Sequence, residues 1–144
     1  MKHVFNRRDF MKVSGGAVAV LTLSRCSVGG GTAPAMGQFS GGNIADYALG
    51  DVMRFDAGPF FVGYDDNGLY AMSAVCTHAG CTVNPGAVSL NCPCHGTTFD
   101  LNGDVTGGPA PRALDHYAVT IDDIGDITVD TEQVVSSSTR TPVT

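Results

Sequence analysis

Positive charge is almost missing from most of this chain. Of its eight lysines and arginines, five (Lys2, Arg7, Arg8, Lys12 and Arg25) fall in the first 35 residues, where Asp9 is the sole acid. The other 109 residues hold only Arg54, Arg112 and Arg140 against thirteen acidic side chains, a net of −10. Such a surface repels nucleic acid and anionic lipid headgroups and suits a basic partner, besides aiding solubility. Long apolar runs are missing too. The segment from Val13 to Leu23 has eleven residues and is diluted by Ser14, Gly15, Gly16 and Thr22. It would make roughly 16 Å of helix, about half of a ~30 Å hydrocarbon core, which excludes a transmembrane span. Nothing in the chain carries the period of a long amphipathic helix, and 144 residues leave room for one domain and little more.

The basic start of the chain has its own meaning. Asn6-Arg7-Arg8-Asp9-Phe10-Met11-Lys12 resembles a twin-arginine export signal, and the short apolar run after it is a signal h-region. That export route carries folded proteins, which suits a cofactor inserted before export. Two processing sites are legible. Ala33-Pro34-Ala35 has the small-x-small pattern that would start the mature chain at Met36. Leu23-Ser24-Arg25-Cys26 resembles a lipobox with Cys26 as the lipidated residue and Ser27 to Gly31 as tether, although Arg25 stands where a small residue is wanted. The chain is therefore expected to be exported to the periplasm. Its membrane contact would be limited to the signal segment, a lipid on Cys26, or a membrane complex.

The expected organisation is a signal over residues 1–35, a flexible Gly/Ser/Ala/Pro linker over 36–47, a β domain over 48–131 and a disordered Ser/Thr-rich tail over 132–144. Within the domain, Val52–Phe55 alternates, and Pro59–Tyr64 reads as a buried strand. Asp65-Asp66-Asn67-Gly68 turns the chain, and Leu69–Val75 returns. Asn84-Pro85-Gly86 reads as a turn and Ala87–Leu90 as a strand. A hairpin is expected around Asn102-Gly103, then strands over Leu114–Ile121, which places His116 at the surface, and Ile127–Val129. Phe60, Phe61, Tyr64 and Tyr70 are core candidates.

Chemistry concentrates between Cys76 and His95. Cys76-Thr77-His78-Ala79-Gly80-Cys81 and Cys92-Pro93-Cys94-His95-Gly96 hold four of the five cysteines and two of the four histidines. Thiolate and imidazole both ligate zinc and iron–sulfur clusters, so spacing has to decide. Structural zinc sites favour short loops with two ligands of one kind. Here each loop offers one of each, Cys76-x-His78 and Cys92-x2-His95. This pattern resembles the Rieske iron–sulfur family over residues 50–130.

The resemblance implies an all-β fold: an antiparallel β-sandwich carrying a smaller cluster-binding subdomain of two loops (76–81 and 92–97) and a proline loop, here Gly107-Gly108-Pro109-Ala110-Pro111. It implies a [2Fe-2S] cluster with Cys76 and Cys92 on one iron, His78 and His95 on the other, and a disulfide between Cys81 and Cys94. An exported protein can keep such a bond. Replacing two thiolates by neutral imidazoles makes reduction easier than in an all-cysteine cluster, and the free ring nitrogens couple proton to electron uptake. Thr97 and Phe99 align with two hydroxyl donors of the high-potential members. Phe99 cannot donate, which implies a lower potential than in quinol-oxidising complexes. The thirteen residues between His78 and Cys92 are slightly fewer than usual in the family, a departure that bears on the partner rather than the cluster. The expected function is an exported one-electron carrier or redox subunit rather than a complete enzyme. Its partner would be a cytochrome, a molybdenum subunit or a quinol. The alternatives are the Rieske subunit of a cytochrome bc-type quinol oxidase and the small subunit of a periplasmic molybdenum oxidoreductase such as arsenite oxidase.

Overall fold

A computed structural model describes residues 35–143. The expected signal segment, both processing sites and Cys26 lie outside them, apart from Ala35. The described chain is all-β and its strand pairings are antiparallel. Six strands form one sheet: β1 (Gln38–Asn43), β2 (Val52–Phe55), β3 (Phe60–Asp65), β4 (Gly68–Ser73), β9 (His116–Ile121) and β10 (Asp126–Val135), in the order β1-β10-β9-β4-β3-β2. Four short strands form a second sheet in chain order: β5 (Asn84–Pro85), β6 (Leu90–Asn91), β7 (Thr98–Phe99) and β8 (Val105–Gly107). One 3-10 turn, Ile44–Asp46, follows β1. Among the described residues no helix is long and apolar enough to cross a membrane.

Period-two alternation sends neighbouring residues of β3 and β4 to opposite faces, and both faces are covered. Phe60, Val62, Leu69 and Ala71 join Tyr47, Ile127 and Val129 in one apolar cluster. Phe61, Tyr70 and Met72 join Ala74, Cys76, Val83, Leu90, Cys92, Phe99 and Leu114 in the other. The first cluster lies inside the large sheet because that sheet curls. Phe39 of β1 and Phe55 of β2, from opposite ends of the strand order, both reach the Phe60 ring, at 6.0 and 5.1 Å between centroids. The second cluster joins the large sheet to the small one, so the small sheet is anchored through side chains that continue up to Cys76 and Cys92.

Three segments differ from their sequence reading. The expected linker contains β1, which pairs with β10 from Gln38↔Asp130 to Asn43↔Asp126. Its small residues are what a strand against a curled sheet requires: a Cβ on Gly41 would lie 2.8 Å from Ile127. The expected turn at Asn84-Pro85 is strand β5, and the turn falls after it, where Gly86 N–H donates to the Ser89 carbonyl at 2.8 Å. Chain reversal there is set by that backbone bond rather than by the Asn-Pro pair.

The expected disordered tail is ordered as far as residue 143. β10 continues to Val135, and Thr141 then pairs with Leu69 through two backbone bonds of 2.9 and 2.8 Å. Arg140 fastens this strap and is only 14% exposed. Its Nε donates to Asp65 at 2.6 Å, its Nη2 to Asn102 Oδ1 at 2.8 Å, and its guanidinium lies 4.1 Å above the Tyr70 ring. Composition signalled disorder, but one arginine with three partners outweighs the entropy of ordering a short polar segment.

His116 is also corrected: it is 2% exposed, opposite Met72 in the β4–β9 pairing and stacked towards Tyr70. Its Nε2 is buried with no partner. Burial pushes its pKa below the ordinary value, and the Arg140 charge acts the same way, against the Leu114 carbonyl, Asp104 and Asp115. The unfolded chain therefore binds a proton that the folded chain resists. The contribution of His116 to stability is complete above about pH 6.5 and is lost as pH falls from there towards the lowered folded value. In urea melts, wild type should lose stability relative to His116→Phe as pH falls below about 6.5, and equal slopes would contradict this.

Candidate metal centre

Two six-residue loops, Cys76–Cys81 and Cys92–Thr97, are built alike. Each is the tip of an antiparallel hairpin, framed by Val75↔Thr82 in the first and Asn91↔Thr98 in the second. In the first, the Cys76 N–H donates to the Cys81 carbonyl at 2.8 Å and the Gly80 N–H to the Cys76 carbonyl at 2.9 Å. In the second, the Cys92 N–H donates to Thr97 at 2.8 Å and the Gly96 N–H to Cys92 at 3.2 Å. The fifth residue of each loop is a glycine at positive φ, +76° for Gly80 and +72° for Gly96. A Cβ on either would meet nothing within 4 Å, so the backbone conformation and not space requires glycine there.

This repeated frame sorts the sulfurs and imidazoles. The first residue of each loop points inward: Cys76 and Cys92 are free thiols, 2% and 3% exposed, at the end of the apolar cluster that joins the sheets. His78 and His95 are exposed, with ring centroids 4.7 Å apart and planes at 90°. A disulfide joins Cys81 to exposed Cys94 across 6.4 Å between Cα atoms. The Cys92 sulfur lies close to that bond, since the sulfurs of Cys81, Cys92 and Cys94 are all within 4.8 Å of one another.

A third segment backs the loops. Gly108, at φ +86°, sits so near the second loop that a Cβ on it would be 2.6 Å from Thr97 Cα and 2.9 Å from the Gly96 oxygen. Thr77 in the first loop donates its hydroxyl to the Arg112 carbonyl at 2.6 Å. The Gly107–Pro111 segment is thus held against one loop by packing and tied to the other by a hydrogen bond a few residues on. Neither the Thr77 bond nor the Gly108 contact was read from the sequence. The doubled glycine before Pro109 was the available signal for the second.

Charge is excluded from this end of the molecule. No Asp, Glu, Lys or Arg occurs from Cys76 to Phe99 or from Val105 to Pro111. Arg112, at the edge, is paired bidentately with Asp115. Thr97 is fully buried and its Oγ1 has no partner. A hydroxyl left so costs about 1–3 kcal/mol, so the site expects an acceptor from outside the chain. Two inward thiols, two paired imidazoles and this spare donor fit a [2Fe-2S] cluster, whose sulfurs accept hydrogen bonds. Phe99 is fully buried beside the two cysteines and adds no second donor.

Known proteins agree with this geometry. The family described as Rieske [2Fe-2S] domain matches residues 42–118, more than half of the chain. The cytochrome b6-f complex iron-sulfur subunit of Synechococcus sp. (strain JA-3-3Ab) is 48% identical over 62 residues, 40% of this chain and 36% of that protein. The same subunit of Synechococcus sp. (strain RCC307) is 41% identical over 93 residues, 58% of this chain and 52% of that protein. The chain thus spans about half, or less, of the length of these curated relatives. The crystal structure of the cyanobacterial plasma membrane Rieske protein PetC3 from Synechocystis PCC 6803 superposes with a TM-score of 0.53 and 35% identity. It covers 64% of this chain and 98% of that one.

Gly108→Ala tests the backing segment. The added methyl meets backbone that cannot yield and fixes an unfavourable φ, so stability should fall by about 2–4 kcal/mol in denaturant melts. A loss under ~0.5 kcal/mol would mean that the segment moves freely.

Proposed function

Since the chain belongs to the Rieske [2Fe-2S] family, and so is an electron-transfer protein, we propose that it works outside the cytoplasm as a one-electron carrier. We assign Cys76 and Cys92 to one iron and His78 and His95 to the other. The observation that carries the reading is the matched pair of hairpin tips, each turning one thiol inward and one imidazole outward. When bound, the cluster supplies a one-electron couple at a potential above that of all-cysteine clusters. Cys76 and Cys92, both buried, would hold it where water is excluded and the local dielectric is low. His78 and His95 face solvent, so the ring nitrogen of each that is not bound to metal can take a proton from a donor and return it to water. Thr97 Oγ1–H would donate to the cluster and so favour its reduced, more negative form. The Cys81–Cys94 disulfide joins the two tips, and the Gly107–Pro111 segment packs against the second.

Arg7-Arg8 and the short apolar run after them support export by the twin-arginine route. The names of the b6-f relatives favour one particular setting, a subunit of a membrane complex of cytochrome bc type in which quinol is the donor and a cytochrome the acceptor. The uncharged tip supports docking by shape and hydrogen bonds rather than ion pairs.

EPR of the dithionite-reduced protein tests the centre: a low-average-g Rieske signal with two irons per chain is expected. Stoichiometric zinc without that signal would sink the reading. A second measurement concerns tuning. Phe99→Tyr adds a hydroxyl beside the two buried cysteines, and redox titration should show a higher potential. About 30–60 mV corresponds to roughly 0.7–1.4 kcal/mol for one electron. An unchanged potential would remove Phe99 from the tuning residues.

A further inference from the structure

The position of Cys92 gives its sulfur two roles that compete. As a proposed ligand it must remain a free thiol. Yet it lies within 4.8 Å of both sulfurs of the Cys81–Cys94 disulfide, whereas the other buried thiol, Cys76, is not in that group of three. The geometry points to an exchange in the iron-free chain. Cys92 Sγ attacks Cys81 Sγ, the Cys81–Cys94 bond breaks, a Cys81–Cys92 bond forms, and the proton of Cys92 passes to the leaving Cys94 sulfur. One thiol and one disulfide go in and one of each comes out, so no oxidant or reductant is required.

The direction of attack follows from the chain. Cys92 and Cys94 are separated only by Pro93, so a bond between them would close a very small ring around a rigid residue, whereas Cys81 is on the other loop. The product also moves a thiol from a buried position to an exposed one, since Cys92 is 3% exposed and Cys94 is at the surface. A Cys81–Cys92 bond removes one of the four proposed ligands, so the exchanged chain cannot take up the cluster. The consequence concerns the order of assembly: iron must occupy Cys92 before the Cys81–Cys94 bond closes. That protective role rests on the ligand assignment above; the exchange itself does not.

The test uses the purified full chain in two portions, one iron-loaded and one stripped with a chelator in the absence of added thiol. Both are labelled with N-ethylmaleimide without denaturant, quenched in acid, digested and mapped by mass spectrometry. In the stripped portion the Cys81–Cys94 peptide pair should be lost, a Cys81–Cys92 pair should appear, and Cys94 should carry the label. The loaded portion should keep Cys81–Cys94 with no label. Cys92→Ser, prepared without iron, should keep Cys81–Cys94 in full. Persistence of Cys81–Cys94 in the stripped wild type would overturn the exchange, and so would its loss in Cys92→Ser. A Cys81–Cys92 bond in the loaded portion would instead overturn Cys92 as a ligand.

Discussion

The site depends on one backbone device used twice: a six-residue hairpin tip closed by the amide of its first cysteine. Because the Cys76 and Cys92 N–H groups are spent on the far ends of their own loops, each cysteine is fixed at the base of its tip with its side chain turned towards the core. The strand pairs beneath, Val75↔Thr82 and Asn91↔Thr98, belong to the protein rather than to the loops, so position is inherited from the sheets. The disulfide then joins the sixth residue of one tip to the third of the other. The backbone part of this frame can be ready before any ligand arrives, because none of its hydrogen bonds uses a metal-binding atom.

How the sheets carry the frame explains the shape of the core. β3 and β4 are buried on both faces, so a single hairpin supports two apolar clusters. One closes the large sheet on itself, and the other reaches through Met72, Ala74, Leu90 and Phe99 to the inward thiols. From Cys76 to Phe99 and from Val105 to Pro111 the only ionisable acids or bases are the histidines and cysteines, while most of the acidic residues sit on the large sheet and its loops, with Asp100 and Asp104 in the β7–β8 turn. Fixed charge near a one-electron centre would shift its potential and bias it against change. With it absent, hydrogen bonds remain as the control, and the unpartnered Thr97 hydroxyl is the donor proposed for that role.

The two loops of the proposed centre were legible in the sequence because their pattern is local: residue types at short spacings, with glycine where φ is positive. So were the strands whose alternation is strong, such as Val52–Phe55, which the structure matches residue for residue. The failures share a physical cause. β1 is rich in glycine and polar residues and looks like a linker, and it becomes a strand because β10 offers an edge, Ile127 demands room at Gly41, and Phe39 packs against Phe60. The tail looks disordered until Arg140 meets Asp65, Tyr70 and Asn102, brought from three distant points of the chain. His116 reads as one residue of an alternating strand, and its burial comes with its place opposite Met72 and beside the Tyr70 ring. In each case the deciding partner is far away in sequence.

The separation of charge along the molecule has a kinetic side. Approach to another macromolecule is governed by the field of the acidic body, which is long-ranged and screened by salt over about 8–10 Å. On the proposed docking through the tip, the final contact is made by histidine, alanine, glycine and proline and is nearly indifferent to ionic strength. Salt would therefore change how often this protein meets a partner far more than how long it stays.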